Sequence, residues 1–148
     1  MSNNINKTAS LVMIFSYIAG FIILVMPAMG GMEIKHYLIA TAVDLIFIAC
    51  VFVKGIYSED KLVFKKILNT IMGVAIAANI LLAVLVQFDL AAAGFIAAFT
   101  ACPLSVSMLF IEEFIPDIEN WIKIFTWIVP YIFIGIAGNI GTRYNKVV

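Results

Sequence analysis

Residues 37–53 read YLIATAVDLIFIACVFV, from Tyr37 to Val53, with a single ionisable carboxyl, Asp44, at the eighth of the seventeen positions. A helix that crosses hydrocarbon needs about 20 mostly apolar residues, and its backbone must satisfy its own hydrogen bonds. A run this apolar is therefore read as a membrane helix, and the fold class follows from how many such runs the chain holds. Working outward, the same ruler finds Ser10–Met29, Ile67–Phe88, Leu90–Ile111 and Trp121–Thr142. The period-2 alternation of a membrane barrel is absent. The expectation is an all-α, polytopic transmembrane helical bundle of about five spans, with residues 1–148 forming one integral membrane domain.

Composition agrees. The chain of 148 residues is 64% hydrophobic and 12% charged, with a mean hydropathy of +1.12, where a soluble domain carries about 25% charged residues. Nine Lys/Arg balance nine Asp/Glu, so no basic surface for a nucleic acid is expected. The lipid bilayer is the expected surrounding, and a soluble enzyme or a disordered chain is excluded. The first run follows Lys7 and ends near Ala28-Met29-Gly30, as a secretory signal would, but it is longer than a signal's apolar region and is read as a retained span.

The boundaries follow from turn chemistry. Ser58-Glu59-Asp60 reads as a helix start, with an N-cap at Ser58 and acids in the first turn. The third helix then runs along the interface before entering the bilayer. A continuous helix from Ile67 to Ile111 would be about 68 Å long, twice the hydrocarbon thickness, so the chain must turn near Asp89. If it turns deeper, 90–111 is re-entrant, kinked at Pro103, and the count is four. With five spans, Lys7, Lys54, Lys61, Lys65, Lys66 and Lys123 lie on one side and Lys35, Arg143 and Lys146 on the other. That asymmetry predicts a multi-pass protein of the cell membrane with a cytoplasmic N-terminus and an external C-terminus. Four spans return the C-terminus to the cytoplasm.

Asp44 is the leading candidate for chemistry. A charge at mid-membrane costs about 2.5–3.5 kcal/mol on insertion scales, so its carboxyl is expected to hold a proton or to have water or a cation at hand. Helical spacing puts Tyr37, Thr41 and Asp44 on one face, and Asn79 sits at a similar depth in the third span. Ser16, Tyr17, Thr100 and Thr126 could extend a polar layer, with Pro130 freeing the carbonyl of Thr126. Binding of an ion or small solute is thus assigned to Asp44, Asn79, Thr41 and Tyr37, against the alternative that these side chains only join helices. Small residues at Ala91, Gly94, Ala98, Ala101 and Ser105, at Gly135, Gly138 and Thr142, and at Gly73 and Ala77 read as packing faces.

Other signals are weak. Cys50 and Cys102 read as small buried hydrophobes. Glu112, Glu113, Asp117 and Glu119 fit no calcium loop, so no metal site is assigned, and His36 reads as interfacial. One histidine excludes bis-His haem ligation within the chain, and no phosphate, dinucleotide or catalytic motif is present. No cofactor is expected, and the protein is read as not an enzyme. Two functions remain open. One is movement of a proton, cation or small solute past Asp44, as a homo-oligomer or with a membrane partner. The other is a non-catalytic accessory or assembly subunit of a larger membrane complex.

Overall fold

The computed structural model describes residues 2–25, 33–87 and 120–144. Among the described residues the chain is all-helical: α1 spans Ser2–Val25, α2 Ile34–Tyr57, α3 Lys61–Gln87 and α4 Asn120–Arg143. These contain the described parts of the runs at 10–29, 37–53, 67–88 and 121–142. The run expected at 90–111, with its small-residue face, Thr100, Cys102 and Pro103, lies outside the described residues, as do Asp89 and Glu112–Glu119. Among the described residues two helices are long and apolar enough to cross a membrane, α2 and the Lys61–Leu81 part of α3, with mean hydropathies of 2.2 and 1.4.

Local chemistry sets the described ends. The Glu33 backbone N–H donates to Nδ1 of His36 at 3.0 Å, which satisfies a donor at the start of α2. This bond needs an imidazole with an unprotonated Nδ1, so the lone histidine is a capping group. Lys35 lies 2.8 Å from the Glu33 carboxylate and holds that carboxyl below its usual range by hydrogen bond and charge. The pair is exposed, so it adds little stability.

At the other turn the cap is Asp60, where Ser58 was expected. Asp60 Oδ1 accepts the Val63 N–H at 2.9 Å, the Asp60 carbonyl accepts the Phe64 N–H at 3.0 Å, and the Ser58 hydroxyl donates to that carbonyl at 3.1 Å. Only Asp60 immediately precedes the helix, so only its side chain reaches the third helical amide. From there α3 is uninterrupted to Gln87, about 40 Å. Asp60→Ala is expected to cost about 1 kcal/mol, read as a lowered thermal midpoint in detergent, with Ser58→Ala costing less.

The packing order differs from the chain order. Helix α1 packs on α2, α2 on α4, and α4 on α3. Consecutive α2 and α3 have few backbone neighbours in common, because α4 fills the space beside both. Val51, Leu68, Tyr131 and Ile134 form the buried core, with Met13, Phe47 and Met72 among the side chains packed on it.

Close approach is made by glycines. A Cβ on Gly55 would stand 2.8 Å from the Gly138 carbonyl oxygen and 3.1 Å from Cα of Gly141, and one on Gly141 would overlap the Phe52 carbonyl oxygen. Backbones of α2 and α4 therefore touch here, and a methyl group on either glycine would hold them apart. Of the packing faces read from sequence, Gly138 takes part in this crossing. Gly135 makes ordinary contact with Met72, while Gly73 has nothing within 4 Å and is exposed.

These contacts fix direction. Ser10 accepts a hydrogen bond from Lys54 at 2.8 Å, so α1 and α2 are antiparallel. Val51 and Gly55 meet Gly138 and Gly141, so α2 and α4 run in parallel. Lys61 Nζ donates to the Tyr144 carbonyl, and Asn139 donates to Asn69 at 2.9 Å, so α3 and α4 are antiparallel. A five-span path needs the last helix parallel to the third, and the observed direction is the reverse. Gln87 and Asn120 therefore stand at one end of the bundle. The start of α1 and the end of α4 stand at the other, together with Lys7, Lys54, Lys61, Lys65, Lys66 and Arg143.

Candidate functional site

The buried face of α2 is Tyr37, Ala40, Asp44, Val51 and Gly55, a stripe with steps of three, four and seven residues that keeps one helix face inward. The Asp44 side chain is carried inward with it. Asp44 is 5% exposed, at the eleventh position of the twenty-four in α2.

Register identifies its neighbours. From the Val51–Gly138 contact, one heptad back along each of the parallel helices leads to Asp44 and Tyr131. Tyr131 is 5% exposed and twelfth of the twenty-four residues of α4. From the Ser10–Lys54 bond, ten residues along each of the antiparallel helices lead to Gly20 and Asp44, and Gly20 is buried. Asp44 thus lies level with a phenol on one side and a residue without a side chain on the other, midway along the bundle. None of Tyr17, Tyr37, Asp44 and Tyr131 is left without an interaction.

Asn79 is fully buried, and its Nδ2 donates to the Ala75 carbonyl at 2.8 Å while its buried Oδ1 has no hydrogen-bond partner among the described residues. A buried amide oxygen without a donor carries a cost of about 1–3 kcal/mol, which a bound donor would remove. Its level is not that of Asp44. Counted from the layer shared by Val51, Leu68 and Gly138, Asn79 lies about 6 Å beyond Asp44, level with Ala40 and between Asp44 and Tyr37.

Thr41 leaves the group. It is exposed, and its hydroxyl donates to the Tyr37 carbonyl at 2.9 Å, one turn back on its own helix. Helical spacing alone put it beside Asp44, but the inward direction passes closer to Ala40, which is 1% exposed. Tyr37 itself is buried. Ser16 is buried on α1, Tyr17 is largely exposed, and the side chain of Thr126 lies outside the described residues.

Sequence reasoning missed Tyr131. The available signal was its place in the middle of an apolar run, seven residues before Gly138 and next to Pro130. Among the described residues, no group of three or more His, Cys, Asp or Glu could hold a metal ion. What the arrangement offers is one carboxyl, two phenols and an amide within about two helical turns. Such groups exchange protons or ligate a weakly held cation through oxygen.

No family model, curated protein or solved structure matches the chain. The functional reading therefore rests on its residues alone.

Proposed function

We propose that the chain is a multi-pass membrane protein that moves a proton, a cation or a small solute past Asp44, working as a homo-oligomer or with a membrane partner. Embedding in lipid is supported by the surface. Phe15, Leu38, Leu45, Leu62 and Val74 are each more than half exposed, and only 22% of the apolar window of α2 and 11% of that of α3 is buried. A core helix of a soluble domain would be mostly covered, and water does not tolerate continuous apolar patches of this extent.

The same reading sets a topology. With α4 antiparallel to α3, the start of α1 and the end of α4 share a side. Six basic residues of the described helices stand at that shared end, against Lys35 and the early-α4 residue Lys123 toward the other. The positive-inside bias is thus sharper than under five spans, and it makes the shared side cytoplasmic. Reporter domains fused to each terminus are expected to report the cytoplasm at both. A C-terminal reporter on the far side would restore the five-span reading.

The observation that carries the function is a carboxyl-bearing side chain buried at mid-length in the most apolar of the described helices. A lipid-facing helix gains nothing from it, and intramembrane acids of this kind mark ion and proton paths. Purified protein in liposomes is expected to conduct protons or monovalent cations, and Asp44→Asn is expected to stop it. The assembly reading is favoured by the open, exposed Gly73, where another backbone could approach closely. Under it, Asp44→Asn leaves flux unchanged and instead reduces the recovery of co-purifying subunits.

A further inference from the structure

Between α3 and α4 runs an open groove of about 510 Å³, walled by Met72 and Ile76 on one side and Ile132, Ile136 and Ile140 on the other. Gly135 keeps its floor low, with only Met72 within 4 Å of where its Cβ would be. Tyr131 lines the deep end, and Arg143 lines the end at the basic side. Just below Arg143, Asn139 ties the two helices together, its amide donating to Asn69 at 2.9 Å and to the Gly135 carbonyl at 2.7 Å.

Length and charge select the occupant. Tyr131 to Arg143 is about 18 Å along a helix, close to the roughly 15 Å depth of one leaflet's hydrocarbon. The walls between them are mostly apolar side chains, so one extended hydrocarbon chain lying along the trough would span it. Its polar end carries the exposed Arg143 guanidinium, which matches phosphate in a two-pronged fashion. Lys61, Lys65 and Lys66 begin α3 at the same end and add a positive field where an anionic headgroup would sit.

We propose that this groove binds one acyl chain of an anionic phospholipid of the cytoplasmic leaflet, with its phosphate on Arg143. The site stands apart from the Asp44 reading and rests on the chain being embedded in lipid with its basic end on the cytoplasmic side. The bound chain reaches from the membrane surface to Tyr131, so lipid identity at the surface is felt beside the buried polar layer.

The test uses the full-length protein in nanodiscs of mixed phosphatidylglycerol and phosphatidylcholine. A phosphatidylglycerol with a photoactivatable acyl chain is expected to cross-link chiefly to Met72, Ile132 and Ile136. Native mass spectrometry is expected to show phosphatidylglycerol retained over phosphatidylcholine. Arg143→Gln, at an exposed position, should remove that preference, and Gly135→Leu, which grows a side chain into the trough, should remove retention of both lipids. Cross-links spread over the whole apolar surface or lying outside the groove, equal retention of the two lipids, or an Arg143→Gln variant that keeps the preference would overturn the proposal.

Discussion

Gly141→Ala is expected to destabilise the folded bundle by about 2 kcal/mol or more, although alanine is the better helix former by about 1 kcal/mol. The added methyl would overlap the Phe52 carbonyl oxygen, a backbone atom of α2 that no rotamer change can move. Relief requires α2 and α4 to separate at their crossing, with loss of packing between Val51 and Ile134 deeper in the core. Gly55→Ala should act alike, since its methyl meets the Gly138 carbonyl oxygen at 2.8 Å. Gly138→Ala meets the end of the Leu68 side chain, which can swing aside, and should cost less. Gly73→Ala meets nothing within 4 Å and should stabilise α3 by about 1 kcal/mol or leave it unchanged. Thermal or denaturant unfolding in detergent reads this order. Equal effects at Gly141 and Gly73 would mean that the crossing is not where the helices touch.

If the chain moves protons or cations as proposed, Asp44→Asn is expected to reduce that flux in proteoliposomes to that of protein-free vesicles while the purified variant stays folded. Asparagine keeps the size and most of the hydrogen bonding of the acid but cannot release a proton or present a negative charge. The folded variant matters, because it separates lost chemistry from lost structure. Asp44→Glu, which retains an ionisable group one methylene further out, should recover part of the flux. Tyr131→Phe should slow it without abolishing it, since a phenol level with the carboxyl can orient it but cannot replace its charge. Unchanged flux in Asp44→Asn would remove the carboxyl from the path.

The helical class was legible because long apolar runs without period-2 alternation have few backbone solutions if they lie in hydrocarbon, and the described residues are all-helical. The position of Asp44 within its run was legible for the same reason. Asp44, Tyr37 and Asn79 are buried in the helix packing, the placement that the cost of exposing polar groups to an apolar surrounding favours. Thr41 shows the limit of that reasoning. A threonine bonds the carbonyl one turn back and so satisfies itself without a neighbour, and helical spacing cannot tell it from an inward-facing residue. Tyr131 was passed over because a tyrosine in an apolar run looks like any other large side chain until a second helix is set against it.

Span direction was equally out of reach of the linear chain. The ruler that counts spans assumes that each apolar run crosses once, and Lys/Arg counting then inherits that assumption. Glycines 55, 138 and 141 carry the missing information, but only as a pair of faces that meet. Each of these residues alone is an ordinary small residue in a helix.

Residue order by itself determined that the chain builds apolar helices and that one of them carries an acid at mid-length, because transfer free energies depend on side chains taken one at a time. Only the tertiary structure decided that α4 lies between α2 and α3, parallel to the first, and so put Tyr131 and Gly20 level with that acid. Those outcomes depend on which backbones can approach each other. That is a property of two surfaces together, and it has no counterpart in either segment read alone.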